Sequence, residues 1–286
     1  MKQRLLFIAL VLFVTASFRS VAQESTVLDG VYVKENTPSR KVIPYIHLRE
    51  ADVMWSKRIW RRIDLRKKLN QSLYFPVGED AKQGRKNLFA IIKESLLEEG
   101  TLTAYDAGSA VAPDDMFRKP LTEDEIEKKL YSVQTINKYD EDGNITGSEE
   151  VKNPVTSDQI KFYEIKEDWF FERERSVMDV RIIGIKPVKE YINEAGEPML
   201  EDLFWIYYPE ARYVFANAEV YNRKNDAERR TYEDIFWKRQ FESTIIKESN
   251  VYDRSIAEYK TGIDALLEAE RIKTEIFNFE HDLWSF

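Results

Sequence analysis

The chain contains no cysteine, yet its N-terminus has the features of an export signal. Two cations within the first four residues precede the apolar run Leu5–Val14, and small residues then suit cleavage between Ala22 and Gln23. Residues 1–22 are therefore predicted to be a signal peptide. Exported proteins commonly use disulfides, but none can form here. The 43% hydrophobic and 13% aromatic residues are enough to bury a core without them.

The mature protein is predicted to be soluble, with no direct membrane span. A spanning helix needs about 20 apolar residues, and the N-terminal run is shorter and closed by Arg19. The missing cysteine excludes a lipid anchor after the signal. Cleavage would remove three cations and no acid, which takes the net charge from −8 to −11. Nucleic-acid binding requires a cationic surface, so no nucleic acid is expected as a partner.

The order of helical and strand patterns predicts an α+β fold. It consists of a helical N-terminal region, a small mostly antiparallel sheet and C-terminal helices. The predicted boundaries are an extended N-terminal arm over residues 23–45, a helical region over 46–130, a sheet region over 131–215 and a C-terminal helical region over 216–286.

The first predicted helix runs from His47 to Asn70. Trp55, Ile59 and Ile63 recur every four residues, and at helical spacing the cations between them fall on the opposite side. Two further helices are predicted over 86–98 and 123–130. Gly100 would end the former, and a capping box at 122–125 would begin the latter.

β-Branched and aromatic residues dominate the middle of the chain, which favours strands. The predicted strands are Ser132–Tyr139, Ile145–Val151, Lys161–Ile165, Val177–Lys186 and Leu203–Tyr208. Turns are predicted at 142–144, between the first two strands, and at 193–196, between the last two. The last third predicts helices at Ala216–Asn222, Thr231–Lys247 and Ala257–Asn278, the last carrying Ile263, Leu266, Leu267 and Ile276.

Few residues offer catalytic or metal chemistry, and no cofactor is predicted. His47 and His281 are the only histidines, and without cysteine a zinc site lacks its usual ligands. No Walker A or GxGxxG loop occurs. Residues 140–144 resemble part of a calcium loop, but Lys138 stands where a ligand is needed. Acidic residues are too numerous for counting to exclude a carboxylate pair, so a periplasmic hydrolase or binding protein using carboxylates stays open as an alternative.

The segment 55–62 is a candidate protein interface, because tryptophan and arginine are enriched in binding hot spots. Its candidate residues are Trp55, Lys57, Arg58, Trp60, Arg61 and Arg62. The arginines could pair with carboxylates on a neighbour, which could be a copy of the same chain in a ring or filament. Two alternatives are core packing of the apolar residues and membrane-surface binding by the cations of 57–68.

These residues also carry a family resemblance. The run from Arg49 to Arg66 resembles the signature of the gliding motility family GldN, also called PorN. Further similar segments are Ile43–Tyr45, Leu102–Asp106, Lys166–Phe171, Arg175–Met178, Trp205–Pro209 and Ala211–Arg212. Together they extend over nearly all of the chain after the signal peptide.

The resemblance implies a periplasmic component of the type IX secretion system of Bacteroidota. It implies association with the outer membrane through a lipoprotein, GldK or PorK, in a ring containing further copies of the chain. It also implies contact with GldM or PorM, an inner-membrane protein. No catalytic residues are carried over from the family, so a non-catalytic structural subunit is expected.

Overall fold

The computed structural model describes residues 40–283, apart from 79–83, 110–111, 140–144, 194, 223–224 and 226, and apart from the side chains of 132–152. The chain divides into two units, Met1–Thr37 and Pro38–Phe286, and all described residues belong to the second. The predicted signal peptide, most of the predicted arm and the predicted turn at 142–144 lie outside the described residues. Residues 40–45, the end of that arm, have no regular secondary structure.

The described residues form nine strands: β1 Val53–Asp64, β2 Ala104–Asp106, β3 Tyr131–Tyr139, β4 Ile145–Pro154, β5 Ile160–Glu172, β6 Val177–Ile192, β7 Pro198–Asp202, β8 Phe204–Tyr207 and β9 Ser243–Glu248. Seven of them form one antiparallel sheet in the order β2-β8-β6-β5-β1-β9, with β7 also paired to β6. Strands β3 and β4 form a separate hairpin. The long central strands are β1, β5 and β6.

Six α-helices are described: α1 Gln71–Tyr74, α2 Leu88–Leu97, α3 Glu123–Leu130, α4 Tyr208–Asn217, α5 Tyr232–Trp237 and α6 Ile263–Asp282. Three single 3₁₀ turns occur at Glu50–Asp52, Ser157–Gln159 and Ile256–Glu258. The α+β class is confirmed, and so is the antiparallel character of the sheet.

The predicted helical N-terminal region is wrong, because the segment predicted as the helix 47–70 forms strand β1. A spacing of four residues places Trp55, Ile59 and Ile63 on one face of a helix and equally on one face of a strand. Lys57 and Arg61 also lie on that face in the strand, where a helix would have turned them away. The strand is possible because acidic residues on β9 and β5 neutralise both cations.

Predictions that rested on local signals are confirmed. Helix α2 begins at Asn87, whose side chain accepts a hydrogen bond from the backbone N–H of Ala90 at 2.8 Å. Helix α3 begins at the predicted capping box, in which Thr122 and Glu125 bond reciprocally. The predicted strands correspond to β3, β4, β5, β6 and β8.

The predicted C-terminal helices are only partly correct. The helix predicted over 216–222 lies earlier, as α4, and begins with Pro209 in its first turn. The helix predicted over 231–247 ends at Trp237, and its second half is strand β9. The turn at 193–196 leads from β6 into β7, a strand that was not predicted. The sheet therefore takes strands from both flanking regions.

The helices bury the sheet face that carries Ile59 and Ile63 of β1. The larger apolar cluster joins Ile63 and neighbouring strand residues to α2, α4 and α5, with Phe215 and Phe236 fully buried. A smaller cluster joins Ile59 to α6. The opposite face of the sheet holds a third cluster around Trp60 and Trp205. Both faces of the central strands are thus covered over part of their length.

Candidate functional site

The six residues predicted as an interface lie on β1 and divide between its two faces. Alternation along the strand separates Trp55, Lys57 and Arg61 from Arg58, Trp60 and Arg62. The single basic helix face on which the membrane-surface alternative depended is therefore not formed. Contact of these residues with another protein stays a prediction.

Two of the arginines are neutralised by acids of the neighbouring strand β5. Arg58 donates two hydrogen bonds to Asp168, at 2.6 and 2.7 Å. Arg62 donates two to one oxygen of Glu164, at 2.9 and 2.6 Å. The register places each arginine directly opposite its acid. Charge-assisted bonds between facing residues stabilise this strand pairing.

Glu164 is buried between cations of the two adjoining strands. Its other oxygen lies 2.8 Å from the ammonium of Lys186 on β6. Burial acts to raise the pKa of Glu164, but Lys186 and Arg62 together outweigh burial, and the pKa lies below its usual range. Lys186 also contacts Asp202 on β7. A chain of alternating charges therefore crosses four strands.

The two tryptophans of β1 contact different elements. The ring of Trp55 stacks on Phe279 of α6, with centroids 4.7 Å apart. The ring of Trp60 lies near two ammonium groups, at 5.6 Å from Lys166 and 4.6 Å from Lys247. Both tryptophans are thus used within the chain, as the core-packing alternative expects.

Arg61 belongs to a buried cluster around Glu167 of β5, which is 0% exposed. The Nε of Arg61 donates to one carboxylate oxygen, and the indole N–H of Trp169 donates to the same oxygen at 2.7 Å. The guanidinium of Arg239 lies 2.8 Å from the second oxygen. Both arginines also lie against the Trp169 ring, at 5.6 and 5.4 Å from its centroid. One carboxylate thus faces two guanidinium groups.

A cleft of about 590 Å³ opens beside this cluster. One wall is the C-terminal half of α6, and the other holds Arg61, Trp169, Arg239 and Phe241. The walls combine aromatic rings with cationic groups, which suits a ligand that is part apolar and part anionic.

Helix α6 carries two apolar stripes on opposite sides. Ala269, Ile272 and Ile276 repeat at spacings of three and four and are buried against the sheet. The other stripe is exposed, since each of its members has 60% or more of its surface accessible: Ile263, Leu266, Leu267 and Phe277. The four apolar residues noted in the sequence of this helix, 263, 266, 267 and 276, divide between the two sides.

The described carboxyl groups with a shifted pKa do not have the direction of shift that a general acid needs. A general acid at neutral pH needs a raised pKa. Every described carboxyl group whose pKa departs from its usual value has a lowered one: Asp64, Asp106, Glu125, Glu164, Asp234, Glu258 and Glu268. Within the described ranges, no group of three or more histidines or acids could hold a metal ion. Nor is any helix of that part long and apolar enough to cross a membrane.

The sequence alone did not identify Glu167, Trp169 or Arg239 as members of a site. One signal was available: charged residues at 164 and 166–168 interrupt an otherwise aromatic and β-branched strand segment. Acids that a strand buries need cations on neighbouring strands. The arginines of β1 supply them.

The site thus combines a helix with exposed apolar side chains and a cationic, aromatic cleft. The chain belongs to the GldN family, described as gliding motility associated protein, whose family model matches residues 48–285. A search of curated proteins finds no match.

Proposed function

We propose that the chain is a non-catalytic structural subunit of the type IX secretion and gliding motility machinery. The observation that carries this proposal is the outer face of α6, formed by Ile263, Leu266, Leu267 and Phe277. Several large apolar side chains exposed on one side of a helix indicate a surface that another protein covers. Membership of a gliding motility family supports the same function.

The proposed location is the periplasm, at the outer membrane. The proposed partners are the lipoprotein GldK or PorK, the inner-membrane protein GldM or PorM, and further copies of the chain in a ring. The export signal predicted over residues 1–22 supports this location. A ring subunit needs at least one surface that another subunit buries. The outer face of α6 is such a surface, and replacing its side chains leaves the contacts between the helix and the sheet intact.

The test uses cells that produce the chain with Leu266→Gln and Leu267→Gln together. The lipoprotein partner is purified from detergent-solubilised envelope, and the chain is detected in the eluate. We expect the wild type to co-purify in rings visible by electron microscopy and the double variant to be lost. The matched control, Ile192→Gln with Met199→Gln, removes exposed apolar side chains at the tip of the β6–β7 hairpin.

Undiminished co-purification of the α6 variant would show that this face is not the contact. Absence of the wild type from the eluate would contradict the structural-subunit proposal itself. The alternative of a carboxylate-based hydrolase would need a general acid with a raised pKa, and the described carboxyl groups with a shifted pKa have a lowered one.

A further inference from the structure

The floor of the cleft between α6 and strands β1 and β5 has two cations for one acid. Arg61 and Arg239 share the single carboxylate of Glu167. The Nε of Arg61 is occupied by that carboxylate, but neither its Nη1 nor its Nη2 donates to any described residue. Arg61 is only 8% exposed and lines the cleft. Because these two nitrogens are not fully buried, an acceptor that enters the cleft can replace water on them.

Arg239 stands where the backbone favours glycine. It follows α5 with φ = 51°. Its N–H donates to the carbonyl of Phe236, and the next N–H, of Gln240, donates to Ile235. This is a Schellman motif with arginine at the left-handed position. Backbone strain of this kind is kept where the side chain has a use, and here the guanidinium reaches Glu167, Trp169 and Phe241.

The rim of the cleft has the opposite charge. Glu242, Glu270 and Glu280 line its entrance. Glu242 is paired with Lys67 and Glu270 with Lys273. These carboxylates repel a polyanion such as a nucleic acid or a phosphate-rich surface. They leave space for a ligand that carries a single anionic group flanked by apolar groups.

We infer that this cleft binds a single carboxylate side chain of a partner protein, presented between apolar or aromatic residues. The carboxylate accepts hydrogen bonds from Nη1 and Nη2 of Arg61, and its apolar neighbours contact Phe241 and Phe277. Charge complementarity selects the acid, and the aromatic walls select its neighbours. The inference rests on the proposed function only in taking the ligand to be a protein.

The test is made on the purified full-length chain with a phage-displayed library of random peptides. We expect enrichment of peptides with one glutamate or aspartate beside aromatic residues. The binding of an enriched peptide is then compared with that of its copy carrying glutamine instead, by fluorescence anisotropy. The acidic peptide should bind at least about tenfold more tightly, the size of one charge-assisted contact.

The variant that isolates the cleft is Arg239→Gly, because glycine suits the left-handed backbone at this position. It should lower affinity for the acidic peptide to that of the glutamine copy. Ser176→Gly is the matched control: Ser176 has φ = 52° and is exposed at the β5–β6 turn. It should leave binding unchanged.

Several outcomes would overturn the inference. They are equal binding of the two peptides, an unchanged preference in Arg239→Gly, or enrichment of no peptide. Displacement of the peptide by inorganic phosphate at equal concentration would assign the cleft to free anions. A change in sedimentation of Arg239→Gly without peptide would assign it to a second copy of the chain. The co-purification test changes Leu266 and Leu267, neither of which lines the cleft, so the two proposals fail separately.

Discussion

Glu167 is the residue on which the buried charges of the sheet depend. It accepts from Arg61 and Trp169 and neutralises Arg239 while fully buried. Replacing it by glutamine keeps the shape and removes the charge. Two guanidinium groups then face each other without a counterion, which should cost about 3–5 kcal/mol of unfolding free energy. Urea denaturation followed by tryptophan fluorescence measures the loss.

The control at this position is Glu174→Gln. Glu174 is 67% exposed at its side chain and lies 3.7 Å from Arg49. An exposed pair of this kind contributes little, so the change should stay within about 0.5 kcal/mol. Similar losses in both variants would mean that Glu167 acts as an ordinary surface acid, contrary to its place between two arginines.

At the scale of the element, β1 shows what the sequence could and could not predict. The apolar spacing of Trp55, Ile59 and Ile63 fits a helix and a strand alike. What decides between them is whether Lys57 and Arg61 can share a face with Ile59. They can, because Glu248 and Glu167 meet them from strands far along the chain. No local pattern contains that information.

Helices α2 and α3 were predictable for the opposite reason. Their signals, Gly100 after α2 and the Thr122–Glu125 capping box before α3, act on backbone groups within a few residues. The candidate site could likewise be predicted only where its residues stand out in the local sequence. Its β1 members stood out by residue type, but Glu167 and Arg239 join them only through strand pairing and a helix end.

The two stripes of α6 make a prediction about stability. Ile272 is buried in the cluster under the helix, and Leu267 is 62% exposed on the outer side. Ile272→Ala should lower the free energy of unfolding by about 2–5 kcal/mol, because it leaves a cavity. Leu267→Ala removes a similar volume from the same helix and should change it by about 0.5 kcal/mol or less. Urea denaturation of both variants measures the difference, and equal losses would mean that the outer stripe is covered within the chain.

At the scale of the whole molecule, acid stability should depend on carboxylates held ionised by cations. Glu164 joins β1, β5 and β6, and Lys186 and Arg62 lower its pKa against the effect of burial. A carboxyl group with a lowered folded pKa stabilises the fold above its unfolded pKa, about 4.3 for glutamate. That contribution is lost as the pH falls through the folded pKa. The free energy of unfolding should therefore be level near neutral pH and fall below about pH 4.3.

Two substitutions distinguish the contribution of Glu164 to acid stability from that of the other acidic residues. In Glu164→Gln one titrating group is missing, so the acid limb of stability against pH should be shallower by up to about 1.4 kcal/mol per pH unit. In Lys186→Met the carboxylate keeps Arg62 but loses its strongest cation, and burial then acts to raise its pKa. Loss of stability should begin at a higher pH than in the wild type. Urea denaturation at a series of pH values measures both, and an unchanged acid limb in both variants would mean that Glu164 does not couple the central strands to pH.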